Sequence, residues 1–423
     1  MKKLFAFLIV LVMVVAATAP TLAQDSPVEL TAWRHIGDVQ EEMDYFGSLV
    51  DGFNASQDAY KVVWEELPQG SYEDSINAAA LAGNLPCLMD VDGPFIPNFA
   101  WAGHIIPLDN YISDELRADL LPATLGAYNG QTYGVGLFDA VIGIWGRKSI
   151  MEKYNLRIAT VDEPWTKDEF DSMLETLAAS DEFEFAIEMY NFYTHEWWPY
   201  AYSTLLQSFG GDLIDRTTYL SAEGVLNGLE AIAWGNWFQN IFQSGLADPN
   251  PPDDQGFIQG RAGLAFIGNW QYPNMYAEWG DDLVVMPPPD LGNGPVVGGG
   301  SWQWAISSSC GHPDGAWAFI EYAASPEATA GYSDVTGLIP ARISAAPLTV
   351  NYSEDGPLGI MVEYAKNWVV IRPPTPAYAV ISNEFFTAAL AITHGADVQN
   401  TLDDAVDAID QDIADNNGYG FSE

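Results

Sequence analysis

The feature that most constrains the fold is an alternation of strand and helix patterns in the first hundred residues of this 423-residue chain. An apolar stripe over residues 43–53 predicts one helix, and the spacing of Ser71 and Asp74 predicts a capping box that opens another over 71–83. Three segments are typical of strands: "VELTAWRH" (28–35), "YKVVWEEL" (60–67) and "PCLMDV" (86–91). This order predicts an α/β fold with a parallel sheet and right-handed crossovers.

Polar residues follow two of these predicted strands. Arg34 and His35 close the first strand, and Asp92 and Gly93 follow the third. In open sheets of this kind, ligands bind beyond the carboxyl ends of the strands. Arg34, His35 and Asp92 are therefore candidate ligand contacts; the alternatives are a solvated charge for Arg34 and a hydrogen-bonded loop histidine for His35.

A second region with the same mixture of patterns begins near residue 140. Thr166 and Glu169 have the spacing of a capping box, and residues 221–245 predict a long amphipathic helix or a pair of helices. The proline- and glycine-rich segments 247–256 and 286–300 predict loops. The length exceeds what one core usually supports, so we expect two α/β lobes with a small-ligand cleft between them.

The amino terminus and the charge limit where the protein acts and what it binds. Lys2 and Lys3 precede an apolar run, residues 4–17, and a small-residue stretch, which predicts a signal peptide over 1–23 and hence export; a retained membrane anchor is the alternative. The formal net charge of −43 repels nucleic acid and anionic lipid. We therefore expect no nucleic-acid partner.

Catalytic and cofactor signatures are mostly missing from the sequence. It contains no GxGxxG, no P-loop and no HExxH, and Ser301 does not lie in a nucleophile elbow. The five histidines are scattered, and "DVDG" (90–93) lacks the later ligands of a calcium loop. We predict no metal and no cofactor, whereas the 58 acidic residues leave a glycosidase carboxylate pair possible.

Tryptophan is the residue type that suggests a ligand. Five of the fifteen tryptophans stand in loop-like contexts beside glycine, proline or polar residues: Trp197, Trp198, Trp270, Trp302 and Trp304. An indole face can stack on the apolar face of a pyranose while nearby charged groups bind its hydroxyls. Trp234, Trp237 and Trp317 have helical spacing and are expected in the core. Residues 263–268 read as a buried strand that delivers Trp270 at its exit.

Seven segments, in order, resemble the extracellular solute-binding proteins of carbohydrate ABC importers, the maltose-binding-like family. The resemblance covers nearly the whole chain after the signal peptide. Its segments are "GNLPCLMDVDG" (83–93), "PWTKDEF" (164–170), "FIQGRAGLAFIGNW" (257–270), "GGGSWQWAIS" (298–307), "AWAFIEYAASPEA" (316–328), "TGLIPAR" (336–342) and "RPPTPAY" (372–378). It implies a two-lobed periplasmic-binding-protein fold with several chain crossovers.

The resemblance also implies roles for individual residues. Trp270 would pack on the bound sugar, Asp92 would be the acidic residue closing the third strand, and Asp139 would be a polar contact at a crossover between the lobes. Trp198 or its neighbour Trp197 would supply a second aromatic contact. The remaining candidates in matching segments are Trp302, Arg372 and Tyr378.

Further expectations follow from the family. From the residues alone, Cys87 and Cys310 are either a disulfide or two buried thiols; the resemblance places both in one lobe and favours the disulfide. The first lobe is expected to comprise 25–139 with 303–345, and the second 140–302 with 346–423. The implied function is sugar binding by hinge closure in a monomer and delivery to a membrane permease. The alternatives are a secreted carbohydrate-active enzyme or a binding protein for a different solute.

Overall fold

The structure is a computed structural model that describes residues 26–36, 40–300 and 302–421. The predicted signal peptide, residues 1–23, lies outside the described residues. The strands are β1 (Val28–His35), β2 (Tyr60–Leu67), β3 (Leu88–Asp92), β4 (Leu125–Tyr128), β5 (Gln131–Gly136), β6 (Phe138–Asp139), β7 (Ile142–Arg147), β8 (Phe185–Glu188), β9 (Ala262–Gly268), β10 (Leu283–Met286), β11 (Val297–Gly299), β12 (Trp302–Ile306), β13 (Ile339–Pro340) and β14 (Val369–Ile371).

Helices flank these strands along the whole described chain. They are α1 (Gln40–Ser56), α2 (Tyr72–Ala82), α3 (Ile96–Trp101), α4 (Asp114–Asp119), α5 (Lys148–Lys153), α6 (Lys167–Ala178), α7 (Trp197–Phe209), α8 (Leu229–Gln243), α9 (Tyr272–Trp279), α10 (Pro313–Ala323), α11 (Pro326–Thr336), α12 (Gly359–Trp368), α13 (Tyr378–Thr393) and α14 (Val398–Asp415). The mixture confirms the α/β class expected from the sequence.

Two main sheets divide the molecule into two lobes. The first sheet has the order β2-β1-β3-β12-β5-β4; β1 pairs in parallel with β2 and β3, as predicted, and β12 runs antiparallel between β3 and β5. The second sheet has the order β10-β7-β9-β8, with β9 antiparallel to β7 and parallel to β8. We call the sheets with their packed helices the first lobe and the second lobe.

The chain passes between the sheets through short segments that pair with each other. The short strand β6 lies between β5 of the first sheet and β7 of the second, and it pairs with β13 through Asp139 and Ile339. Strand β11 directly precedes β12 and pairs with β14. The lobe boundaries given above remain a prediction.

Each lobe has its own hydrophobic core. The largest cluster surrounds the second sheet and includes Trp145, Trp234 and Phe385, while the two smaller clusters pack on the first sheet. Trp234, Trp237 and Trp317 are buried, which confirms that they are core residues; Trp304, at a loop-like place in the sequence, is buried as well. Trp270 is partly buried and packs against clusters of both lobes.

Of the three predicted helix starts, one has the expected capping box and two differ from the expectation. Thr166 and Glu169 form the predicted capping box. Ser71 is the residue before α2, but its side chain makes no capping bond because a short 3-10 turn precedes it and its hydroxyl donates to the Pro68 carbonyl. The helix predicted within 221–245 begins at Leu229, since the preceding residues form turns.

Cys87 and Cys310 form a disulfide in the first lobe, which confirms the pairing that the resemblance favoured. Cys87 immediately precedes β3, and Cys310 follows β12, the antiparallel neighbour of β3. The bond therefore fastens the ends of two adjacent strands in the middle of the sheet. Among residues 26–36, 40–300 and 302–421, no helix combines the length and apolarity needed to cross a membrane.

Candidate functional site

A cavity of about 560 Å³ lies between the two lobes. The first lobe contributes His35 and Asp92 at the carboxyl ends of β1 and β3, together with Trp302 at the start of β12. The rule that ligands bind beyond the carboxyl ends of parallel strands thus leads to this cavity. The lining also includes acidic, aromatic and basic side chains from both lobes: Glu73, Asp74, Tyr193, Glu196, Trp197, Tyr200, Trp270 and Arg372.

Trp270 lies where the sequence predicted it, just beyond the end of β9, and its ring rests on Gly268. A Cβ atom at Gly268 would lie 1.8 Å from the indole ring, so only glycine allows this arrangement. Trp197 meets the indole edge-on with a centroid distance of 6.0 Å, and Tyr200 packs at the same distance. The Trp270 Nε1 atom is buried and has no hydrogen-bond partner among the described residues.

The residue between them, Asn269, ties this segment to the crossovers. Its Oδ1 accepts a hydrogen bond from the Val141 backbone N–H at 3.1 Å, and its Nδ2 donates to the Gly337 carbonyl at 3.1 Å and to the Tyr352 hydroxyl at 2.9 Å. In the "GNW" sequence, Gly268 leaves space for the indole ring, Asn269 holds the segment to the crossovers, and Trp270 supplies the ring.

An ion-pair network crosses the cavity from one lobe to the other. Arg372 donates two hydrogen bonds to Asp92, from Nη1 at 2.7 Å and from Nη2 at 2.8 Å, and one to Glu196 at 2.5 Å. Its guanidinium also lies over the Tyr200 ring at 4.9 Å. A bidentate arginine–carboxylate pair fixes both partners in one geometry.

Burial and charge set the protonation of this network. Burial opposes the charge of Arg372, but Asp92 and Glu196 raise the pKa of the guanidinium well above its usual value. Burial raises the pKa of Glu196, against the opposing effect of Arg372. Ser382 donates to Glu196 at 2.5 Å, and the Tyr378 hydroxyl donates to it as well. Arg372 is therefore a fixed cation between two carboxylates.

His35 and Trp302 form the wall of the first lobe. Their rings stack with centroids 3.8 Å apart and planes inclined by 18°. The His35 Nδ1 lies 3.0 Å from both carboxylate oxygens of Asp90, which orients the imidazole. One face of the Trp302 indole is thus covered by His35, so its remaining surface is what it can offer a ligand.

Four predicted site residues do not line the cavity. Arg34 is buried on the side of β1 that faces α1, where it pairs with Glu42 and lies 3.9 Å from Asp90. Its guanidinium turns towards α1 and α11, where Nη2 donates to the Tyr332 hydroxyl at 2.6 Å, whereas the His35 ring stacks on Trp302 at the cavity. The prediction that Arg34 contacts the ligand is therefore not supported by its position.

Trp198, Asp139 and Tyr378 also lie behind the cavity. Trp198 is 1% exposed and donates from Nε1 to the Tyr193 carbonyl at 2.9 Å, so Trp197 is the member of the pair that faces the cavity. Tyr378 is fully buried and contacts residues of the site through its bond to Glu196 and through edge-on packing on Phe95, with ring centroids 5.4 Å apart.

Asp139 serves the crossovers instead of the cavity. Its Oδ1 accepts from the backbone N–H groups of Ala140 and Gly300, each at 2.9 Å, and so joins two crossing segments. Burial raises the pKa of its carboxyl to about 6, although both hydrogen bonds lower it.

Sequence reasoning missed several cavity residues, notably Glu73, Tyr193, Glu196 and Tyr200. Glu73 is the second residue of α2, six residues after β2 ends, so the strand-end rule, applied to residues next to the strands, did not reach it. Glu196 follows His195, but the segment lacks the second histidine of an HExxH motif, so no sequence pattern marks it as a site residue. Within the described ranges, no three His, Cys, Asp or Glu residues are grouped closely enough to hold a metal ion.

Comparison with known proteins connects this architecture to a family. The family described as "Bacterial extracellular solute-binding protein" matches residues 37–330. A maltotriose-binding protein of Pyrococcus abyssi is 26% identical over 298 residues; the match covers 66% of this chain and spans 59% of that protein's length.

Solved structures share the fold at low sequence identity. The GacH receptor of Streptomyces glaucescens, solved unliganded and with acarbose, has a TM-score of 0.76 at 19% identity, covering 92% of this chain and 98% of that one. An ABC transporter solute-binding protein of Thermotoga lettingae bound with α-D-tagatose has a TM-score of 0.77 at 21% identity, covering 91% and 99%. At these identities the likeness establishes the two-lobed fold.

Proposed function

The chain belongs to the family of bacterial extracellular solute-binding proteins, and we propose that it binds a sugar or oligosaccharide between its lobes and delivers it to the permease of an ABC importer. The observation that carries the proposal is the Trp270 ring, laid flat on Gly268 at the cavity wall. Because position 268 is a glycine, the indole can lie against the backbone beside the cavity. An indole in that position can stack on a flat apolar surface, such as one face of a pyranose ring.

The rest of the cavity fits the same ligand class. Its volume lies in the range typical of small-molecule sites, and aromatic rings are combined with a few fixed polar groups. Asp92 and Glu196 line the cavity and offer carboxylate oxygens as acceptors for hydroxyl groups. The maltotriose-binding relative supports an oligosaccharide in particular.

Delivery follows from closure of the lobes. Sugar first contacts one lobe and gains further contacts when the other lobe closes over it, so its differential affinity favours the closed form. Asp139 and Asn269 stiffen the crossovers about which the lobes would turn. The exported monomer needs no cofactor, and the closed form is what the permease would recognise.

The test is the melting temperature of the exported form against a panel of mono- and oligosaccharides. A binder is stabilised by about 2.7 kcal/mol at a ligand concentration one hundred times Kd. Trp270→Ala is expected to weaken binding by about 10- to 100-fold, since a buried aromatic face is lost. Tyr276→Ala removes an exposed aromatic ring outside the cavity and should leave affinity unchanged. Folded protein that no sugar stabilises would contradict the proposal.

A secreted glycosidase is the second candidate, because Glu73 has a raised pKa in a cavity that also holds Asp92 and Glu196. We favour binding without turnover, since Arg372 holds both Asp92 and Glu196 and leaves neither free to attack or protonate a sugar. Chromatography of oligosaccharides after prolonged incubation separates the two functions. Shortened products that disappear in Glu73→Gln protein would establish hydrolysis.

A further inference from the structure

The acidic side chains that line the cavity outnumber the basic ones. Five acidic side chains face it: Glu42, which pairs with Arg34, and Glu73, Asp74, Asp92 and Glu196. Among the described lining residues, the only Lys or Arg is Arg372, and it is bonded to both Asp92 and Glu196. Neither Glu73 nor Asp74 forms a salt bridge within the part of the chain that the structure describes. Two acidic side chains of the cavity, Glu73 and Asp74, could therefore pair with a cationic ligand.

Glu73 is the carboxylate that would meet that cation. It is the second residue of α2, after Tyr72, which is fully buried; the Tyr72 ring packs edge-on against Trp302 at 5.5 Å and its hydroxyl donates to the Trp33 carbonyl. The helix start is thus fixed to the cavity wall. Glu73 itself is only partly buried, and it is in contact with the cavity.

The surroundings of Glu73 disfavour its own negative charge. Burial raises the pKa of its carboxyl to about 8, and the charges of Asp92, Glu196 and Asp90 add to that rise. In the free protein this carboxyl therefore holds a proton near neutral pH. A bound cation stabilises its ionised form, so the proton is released on binding, whereas a neutral ligand leaves the carboxyl protonated. The net charge of −43 also raises the local concentration of cations around the protein.

Aromatic rings in the same cavity provide a second, independent indication of a cation. Trp197, Tyr200 and Trp270 pack at angles to one another and form a corner. The face of an aromatic ring attracts a cation within about 6 Å of its centroid, and such rings line sites for ammonium groups. The rings that stack on a sugar can therefore also attract an amine attached to it.

We propose that the cognate ligand is an amino sugar, or an oligosaccharide containing one, whose ammonium group pairs with Glu73. This inference rests on the proposed function. Stacking on Trp270 positions the sugar ring in the cavity. The ion pair between its ammonium group and Glu73 then distinguishes an amino sugar from its neutral parent.

Calorimetry with matched sugars tests this inference. Glucosamine, glucose and N-acetylglucosamine differ only in the group at C2, and the β-1,4-linked dimers of the three repeat the comparison at greater length. Galactosamine and mannosamine, each with its parent sugar, extend the series. Near neutral pH we expect the cationic member of a set to bind about tenfold or more tightly than its neutral parent, as a hydrogen bond between charged groups allows.

Variants separate local pairing from the overall charge. Glu73→Gln should reduce the ratio of amino-sugar to neutral-sugar affinity towards one. Glu66→Gln, an exposed carboxylate of the first lobe outside the cavity, should change that ratio by less than about twofold. A ratio that survives Glu73→Gln, or a neutral parent that binds as tightly, would overturn the inference. Neutral-sugar binding that depends on Trp270 would still support the proposed function, whereas binding of choline but no sugar would overturn both.

Discussion

At the scale of single residues, the site depends on a glycine as much as on the tryptophan it supports. The Trp270 ring occupies the space that a side chain at Gly268 would need. We predict that Gly268→Ala displaces the indole and weakens sugar binding by about as much as Trp270→Ala, while overpacking costs about 1–3 kcal/mol of stability. Calorimetry gives the affinity, and urea unfolding gives the stability.

Gly311→Ala is the matched control for that variant. Nothing lies within 4 Å of a Cβ built at Gly311, and its backbone is not in the left-handed region. The control should retain full affinity. If Gly268→Ala also bound sugar like the wild type, the position of the ring would not matter for recognition.

Local sequence patterns identify some residues of the site and miss others. Trp197 and Trp198 are adjacent and alike, yet only one faces the cavity, because α7 begins at Trp197 and successive helical residues point in different directions. The strand-end rule led to His35 and Asp92, and both line the cavity. It could not reveal that Arg372 binds Asp92, since 280 residues separate them and only tertiary folding brings them together.

At the scale of elements, most of the first sheet could be predicted because its signals are local. Period-two and period-3.6 apolar patterns gave β1, β2, β3 and the intervening helices. The position of β12 between β3 and β5 could not be derived in this way, since its partners lie far away in the chain. The Ser71 cap failed for a related reason: the preceding turn, not the residue type, decides whether a cap forms.

The disulfide, which fastens β3 to β12, is expected to have a measurable effect on stability. Cys87 and Cys310 are 223 residues apart in the chain, so their bond restricts a long loop of the unfolded state. We predict that the Cys87→Ala, Cys310→Ala double variant, or reduction of the wild type, lowers stability by about 2–4 kcal/mol. Calorimetric melting with and without reductant measures the loss, and the double variant should not respond to reductant. An equal response of both proteins would contradict the prediction.

At the scale of the whole molecule, buried carboxylates set the pH dependence of stability. Burial raises the pKa of Asp139 to about 6, of Glu188 to about 7 and of Glu73 to about 8. Between their unfolded values near 4 and these folded values, the native state binds more protons than the unfolded state does. The stability of the ligand-free protein is therefore predicted to fall as pH rises from about 4.5 to 8.

Other carboxylates set the acid limit. Burial opposes ionisation of Glu42, but Arg34 lowers its pKa, and hydrogen bonds from Ser344 and Arg342 do the same for Asp119. Their stabilisation is lost below about pH 4, so maximum stability is expected between roughly pH 4 and 5. Melting temperatures across this range test the curve. Glu73→Gln should flatten its upper part, and stability that increased from pH 5 to 8 would contradict the assignment.

Polar contacts already join the two lobes across the cleft. The bidentate pair of Arg372 with Asp92 joins them directly, and Asn98 adds a hydrogen bond to the Pro376 carbonyl at 3.0 Å. A ligand can shift an open–closed equilibrium only by its differential affinity, and a pair that already favours the closed form reduces the shift required. We therefore expect the ligand-free wild type to be compact and to contract further only slightly with sugar.

Small-angle X-ray scattering measures this equilibrium as a radius of gyration. Arg372→Met removes the cation between two carboxylates, which then repel across the cleft, so the ligand-free variant should expand and contract more on saturation with the tightest sugar of the panel. Arg117→Met is the control, because its ion pair with Asp109 is exposed and lies within the first lobe. If the curves of Arg372→Met and wild type coincided without ligand, the cross-cleft pair would have no part in closure, and the contacts of the sugar alone would have to bring the lobes together.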